Sequence, residues 1–293
     1  MILDSNKNKD YYLFIRGKLN LSLIENNFMD INKAFNTNRD TWNKKVAIHA
    51  KSDFYNLNEF KNGKSSLNKY EVTALGDVSN KSLLHLQCHF GQDTLSWARM
   101  GAECTGIDLS DAGIKLAKQL NDELGLNSKF VCCNVLDVSK HVKNQFDIVF
   151  TSYGTIGWLP DLKPWAQMIF ERLKVGGVFY IVEFHPIAWM FDYASNPQKL
   201  AYGYHQKEAI YEEYEGTYAD EKSNMISKEY GWNQSLGEIV TSLINAGLTI
   251  ECLNEYDASP YNIFPELEIN NKGMYELSNK LYPLLFELKA TKI

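Results

Sequence analysis

From residue 82 onward, short apolar runs alternate with longer mixed runs, and this alternation limits what the chain can fold into more than any other feature. Residues 82–87 read as a strand. Gly91 closes a turn, and residues 93–100 read as a helix stopped by Gly101. A strand at 104–108 follows, then a helix at 111–124 capped near Ser110 and stopped by Gly125. A third strand at 129–133, a fourth at 146–152, a helix at 161–173 ended by Gly176-Gly177 and a fifth strand at 178–184 keep the rhythm. Residues 235–246 add a helix stopped at Gly247, 248–256 a strand, and 284–290 a last strand after an irregular stretch with Pro260, Pro265 and Gly273. Strands alternating with helices of this length predict a parallel sheet covered on both faces, an α/β fold.

The flanking segments read differently. Residues 29–51 are expected to be helical, with Trp42, Val46 and His49 at spacings of three and four on one face. Residues 54–66 look like a loop, and 67–75 like a second helix stopped by Gly76. This gives an accessory or poorly ordered extension at 1–28, an N-terminal helical cap at 29–80 and a main domain at 81–293. Within the main domain, 185–230 is rich in Tyr, Glu and Asn and has no clear period. It is too long for an ordinary connection, so 185–233 is expected to be a lid insertion.

Composition narrows the function. The net charge of −6 gives no basic stripe for phosphate, which argues against nucleic acid as the main partner. No apolar run reaches the length of a membrane span, and the start of the chain lacks the order of a signal peptide, so a cytoplasmic protein without membrane association is expected. The five cysteines form no C-x-x-C pair and are expected to be buried, reduced thiols rather than disulfides or metal ligands.

The chemistry centres on Leu83 to Gly91 and on Asp108. A strand entering a tight turn and then a helix presents free backbone N–H groups and a positive dipole end. In an open α/β sheet, ligands gather at the carboxyl ends of the strands. Asp108 closes the next strand, where an acid can accept hydrogen bonds from both ribose hydroxyls of an adenosine. This arrangement suits either a nicotinamide dinucleotide or S-adenosylmethionine. Gly91 is the only glycine in the turn, so the G-x-G-x-x-G pattern that lets a backbone approach a pyrophosphate is absent. S-adenosylmethionine has no pyrophosphate and makes a weaker demand. Asn134, Val135 and Asp137 after the third strand can meet an adenine.

Residues 82–184 resemble the class I S-adenosylmethionine-dependent methyltransferases. The resemblance lies in the turn Leu84-His85-Leu86-Gln87-Cys88-His89-Phe90-Gly91, in Gly106-Ile107-Asp108-Leu109-Ser110, in Asn134, in Phe146-Asp147-Ile148-Val149-Phe150 and in Leu173-Lys174-Val175-Gly176-Gly177. Residues 235–291 are similar to the family's last helix and closing strand pair. The resemblance implies a Rossmann-like three-layer α/β/α sandwich, with a seven-stranded, mostly parallel sheet and an antiparallel last strand. It implies S-adenosylmethionine as cofactor, leaving S-adenosylhomocysteine, and a site of Leu86, Gln87, Cys88, Gly91, Asp93, Asp108, Leu109, Asn134, Val135, Thr151 and Ser152. The chain departs from the family at His85, where an acid is common, and at Gln87 and His89, where glycines are common.

Several roles stay open at this level. Asp93 can cap the helix after the turn as well as meet the cofactor. His185, His89 and Glu183 are candidate bases or substrate-positioning groups, with His185 and Glu183 expected on the same side of the fifth strand. Tyr153, Trp158, Tyr230 and Trp232 are candidate substrate contacts. Tyr55 and His49 could fold over the cofactor or pack in the core. Glu208, Glu212, Glu213, Glu215, Asp220 and Glu221 form a solvated face or, with Tyr211, Tyr214 and Tyr218, a lid that attracts a cation. The reaction expected is in-line transfer of a methyl group to an O, N or S nucleophile of a small molecule, by a monomer or homodimer. The alternatives are a catalytically inactive cofactor-binding or interaction protein and a nicotinamide-dependent oxidoreductase.

Overall fold

The computed structural model describes residues 30–192, 195 and 198–293; the extension expected at 1–28 lies outside the described residues. Seven strands form the main sheet: β1 (Ser82–Leu86), β2 (Glu103–Asp108), β3 (Lys129–Cys132), β4 (Phe146–Ser152), β5 (Leu173–Phe184), β8 (Leu248–Tyr256) and β12 (Leu285–Lys292). Their order is β3-β2-β1-β4-β5-β12-β8. The first five run parallel, and β12 lies antiparallel between β5 and β8. This is the three-layer architecture that the resemblance implies.

The helices that build the layers are α1 (Ile31–His49), α2 (Leu57–Lys61), α3 (Lys69–Leu75), α4 (Gln92–Arg99), α5 (Asp111–Glu123), α6 (Val138–His141), α7 (Leu162–Arg172) and α8 (Leu236–Asn245). Successive strand residues point to opposite faces, so each strand feeds two cores. Leu84, Leu86, Val149, Phe179 and Ile181 pack with Trp165 and Ile169 of α7 and with Ile239 and Leu243 of α8. Leu83, Phe150, Tyr180 and Val182 pack on the other face with Trp97 of α4 and Leu75 of α3. The central strands therefore carry nearly unbroken apolar runs, as a sheet buried on both sides requires. Ser110 caps α5 by accepting from the Gly113 N–H, as expected, and Ser235 and Glu238 form a capping box on α8.

Three expectations are corrected. The stretch expected to be a loop at 54–66 contains α2, capped by Asn56. The segment without visible period contains a two-stranded ribbon, β6 (Gln206–Glu215) and β7 (Ile226–Asn233). Of the cysteines expected to be buried, Cys132 is exposed and Cys252 half-buried; all five are free thiols.

The ribbon does not join the main sheet, nor does the small sheet of β9 (Ala258–Ser259), β10 (Glu268–Ile269) and β11 (Tyr275–Glu276). The outer edge of the ribbon is closed by α1: Asn38 accepts from the Tyr230 N–H and donates to the Tyr230 carbonyl, both at 2.8 Å, and the Thr41 hydroxyl donates to the Lys228 carbonyl at 2.7 Å. Side chains of a helix thus satisfy backbone groups that an edge strand leaves open. One turn on, Lys45 forms a salt bridge with Glu229, and both are almost wholly buried. Among the described residues, no helix is long and apolar enough to cross a membrane.

Candidate functional site

Asp108 ends β2, and its carboxylate is shared between two backbone donors. The N–H of His89, in the turn after β1, reaches one oxygen at 2.7 Å, and the N–H of Ser110 reaches the other at 2.8 Å. The acid therefore fixes the turn. Burial pushes its carboxyl up to about 6, against the pull of those N–H groups.

The turn itself is crowded. Gln87 and His89 adopt φ of 55° and 51°, the left-handed conformation that glycine takes most easily. Gly91 has φ 82°, and a Cβ there would lie 2.7 Å from the Phe130 ring, so this position admits only glycine. The Gln87 amide donates to the Thr155 carbonyl at 2.9 Å, which ties the turn to the end of β4. Cys88 is buried, and its N–H donates to Ile107.

The expected cofactor residues line up along one edge. Leu86 ends β1 and Gln87, Cys88 and Gly91 follow it; Asp108 ends β2 and Leu109 follows it; Asn134 and Val135 follow β3; Thr151 and Ser152 end β4. These strands are neighbours in the order β3-β2-β1-β4, so the residues form one row at the carboxyl ends. Asn134 accepts from the Leu136 N–H, and Val135 is buried. The Thr151 hydroxyl faces the Leu86 carbonyl. Asp93 accepts from the hydroxyls of Ser66 at 2.6 Å and Ser152 at 3.4 Å, and burial raises its carboxyl to about 6. Asp93 does not cap the helix as expected; Gly91 is the N-cap of α4, with no side-chain cap bond.

The cover lies above this row. Trp42 of α1 packs edge-on to His89 and Trp158, with centroids 5.2 and 5.5 Å away. His49, at the end of α1, has its Nδ1 3.1 Å from Nε2 of His89. Tyr55 stacks on His49 and hydrogen-bonds the hydroxyl of Tyr218, from the tip of the β6–β7 ribbon. Burial, with Lys45 nearby, lowers His49 to about 3 and holds His89 well below its ordinary range, so both rings are neutral at physiological pH.

The proposed bases separate. The Glu183 carboxylate receives N–H groups of Gly154, Thr155, Ile156 and Phe184 and the Thr155 hydroxyl. That environment makes it the anchor of the loop after β4 instead of the expected base. His185 is buried and turns toward β8 and β12, where Nε2 meets Glu255 at 2.7 Å and the ring packs edge-on to Phe286. It does not join the row. His89 does. Of the expected substrate contacts, Trp158 lies under Trp42, and the Tyr153 hydroxyl donates to Glu71 at 3.1 Å. Tyr230 binds α1 through its backbone, and Trp232 is buried beside Phe184 and Trp189. Tyr218 reaches the site, whereas Tyr211 pairs with Tyr230 and Tyr214 with the Lys45–Glu229 pair.

Three buried polar atoms above the turn lack a hydrogen-bond partner among the described residues: Nε2 of His49, Nδ1 of His89 and Oε1 of Gln87. Leaving such a group unmet costs about 1–3 kcal/mol. Together with the Asp108 carboxylate they form a donor and acceptor set that fits a polar ligand with hydroxyl and ammonium groups.

Comparison with known proteins agrees with this geometry. The family described as a methyltransferase domain matches residues 83–177, the stretch from the turn to the start of β5. Over that stretch the chain carries a methyltransferase domain, and its fold is that of S-adenosylmethionine-dependent methyltransferases. The protein is a methyltransferase whose cofactor is S-adenosylmethionine. A ubiquinone biosynthesis O-methyltransferase of Pseudomonas fluorescens Pf-5 is 25% identical over 197 residues, covering 66% of this chain and 77% of the relative. The enzyme of that name from Chromobacterium violaceum is 30% identical over 104 residues, 35% of this chain and 44% of the relative. An S-adenosylmethionine-dependent methyltransferase from Mesorhizobium loti superposes with TM-score 0.52 at 17% identity, over 79% of this chain and 100% of that one. The glycopeptide N-methyltransferase MtfA, solved with S-adenosylmethionine, gives 0.50 at 14% identity, over 76% and 92%. These two superpositions speak for the fold.

Trp42, Lys45 and Glu229 went unread as site residues. Trp42 and His49 do carry a signal, a shared helix face, but nothing local in the sequence says that this face closes over a turn forty residues away.

Proposed function

We propose that this methyltransferase acts on a hydroxyl of a small molecule, with the row at the ends of β3, β2, β1 and β4 as its cofactor site. The observation that carries the reading is the Asp108 carboxylate at the turn, beneath three unmet polar atoms. Asp108 and Leu109 would hold the ribose, and Asn134 and Val135 the adenine. Leu86, Gln87, Cys88, Gly91, Asp93, Thr151 and Ser152 would hold the methionine part. When bound, S-adenosylmethionine supplies a methyl group made electrophilic by its sulfonium. The residues align acceptor and methyl and keep water out, which lowers the barrier by proximity. His89, neutral and in the turn, would position the acceptor hydroxyl, and Trp158, Tyr153 and Tyr218 would line its approach. The O-methyltransferase names of the curated relatives favour oxygen as the nucleophile.

Calorimetric titration with S-adenosylmethionine tests the cofactor site. Asp108→Asn should weaken binding at least ten-fold, about 1.4 kcal/mol. Asp108 and Asp93 are ionised above about pH 6, so affinity should hold steady above neutrality and fall as pH drops through 6. Undiminished binding by the Asn variant would remove Asp108 from the site.

A further inference from the structure

A buried histidine normally finds partners for both ring nitrogens, because an unmet polar group in the interior is costly. His49 is fully buried, and only one of its nitrogens is met, by another histidine in the same condition. The shared hydrogen can point either way. If His49 donates through Nδ1, its Nε2 is an acceptor and Nδ1 of neutral His89 carries a hydrogen. If His89 donates through Nε2, the outer roles exchange. Either way the pair offers one donor and one acceptor beyond itself. A phenylalanine at 49 would fill the same space against Tyr55, Tyr218 and Trp42 without leaving any nitrogen unmet. Packing alone therefore does not account for this ring.

The two histidines belong to different parts of the fold. His89 sits in the turn after β1, at the centre of the proposed cofactor row. His49 ends α1, the helix that also closes the β6–β7 ribbon through Asn38, Thr41 and Lys45. We propose that the pair is a split cofactor grip: His49 supplies a hydrogen bond to S-adenosylmethionine from the cover helix, so that cofactor binding and docking of α1 are one coupled event. The proposal rests on the cofactor reading above. By linkage, whatever strengthens docking of the helix strengthens cofactor binding, and the reverse.

The test is cofactor binding, for which no acceptor need be known. Wild type, His49→Phe and His49→Gln are titrated with S-adenosylmethionine by calorimetry. Their folding is checked by thermal melting, and backbone hydrogen exchange across residues 31–49 is followed with and without the cofactor. The Phe variant should melt like wild type and bind at least ten-fold more weakly. The Gln variant, with an amide near the lost Nε2, should recover most of that loss. The cofactor should slow exchange in α1 of wild type and much less so in the Phe variant. Binding by the Phe variant within two-fold of wild type would overturn the proposal and leave the cofactor site standing. Failure of wild type to bind would bring down both. Should the Phe variant not fold, the exchange data decide: α1 amides unchanged by cofactor in wild type would overturn the grip.

Discussion

At the scale of single residues, Gln87 and His89 hold backbone angles that a side chain resists, and each costs about 1–2 kcal/mol relative to glycine. The cost can be read without confusing it with lost side-chain contacts. His89→Gly should be more stable than His89→Ala by about 1 kcal/mol in urea unfolding, since both lose the imidazole and only the backbone preference differs. Glu71 offers a second test. It is fully buried, accepts from the Asn68 N–H and the Tyr153 hydroxyl, and burial raises its carboxyl to about 8. Because the folded state holds this proton more tightly than the unfolded chain, stability from this group declines as pH rises from the ordinary carboxyl value toward 8 and then levels off. Glu71→Gln keeps the cap and removes the charge. It should raise the melting temperature by a few degrees at pH 8.5 and change it little at pH 4.5. An equal gain at both values would mean that ionisation of Glu71 is not the source.

At the scale of elements, the helix α1 and the ribbon β6–β7 hold each other through buried polar groups. Removing one member of a buried ion pair leaves the other charge uncompensated, at about 3–5 kcal/mol, whereas replacing both with apolar groups is often neutral. Lys45→Met should therefore destabilise strongly, and Lys45→Met with Glu229→Leu should recover most of the loss in a denaturant titration. Equal stability of the two variants would show that the pair contributes through shape alone. The same polarity explains why the ribbon was invisible in the sequence. A half-buried strand is read from alternating apolar residues. In β7 the residues that turn inward include Ser227 and Glu229, and β6 is exposed along most of its length. The partner that satisfies this edge lies more than 180 positions away, at Asn38 and Thr41. By contrast β4 and β8 were read to the residue, because a doubly buried strand and a strand framed by Gly247 carry their signal locally.

At the scale of the whole molecule, the row proposed as the cofactor site was legible because it is assembled from strand ends, and each strand announces its own end. Asp108, Asn134 and Ser152 come together through sheet order alone. The cover was legible only in part: Tyr55 and His49 were open to a place over the cofactor, whereas Trp42 and Lys45 acquire meaning only once α1 lies over the turn. His185 was expected on the same side as Glu183, and alternation gives a face but not a partner: His185 lies beyond β5 and is claimed by Glu255 on β8. A ligand that binds the folded chain alone raises its stability by mass action, about 2.7 kcal/mol at a hundred times its dissociation constant. S-adenosylmethionine at that excess should raise the melting temperature by several degrees, and Asp108→Asn, binding ten-fold more weakly, should cut that shift to about half at the same concentration.

The place of β12 has a consequence for the order in which the sheet can be made. It comes last among the described strands, yet it lies between β5 and β8 and, among the described residues, is the one sheet neighbour of β8. During synthesis β8 leaves the ribosome before its sheet neighbour, and its backbone N–H and C=O groups must wait unpaired until residues 285–292 emerge. The α8 helix, packed on α7, is what can hold the waiting strand near its place. A nascent chain arrested before Leu285 would thus carry a finished parallel half and a tethered, unpaired strand, a species open to chaperones and proteases until its closing strand arrives.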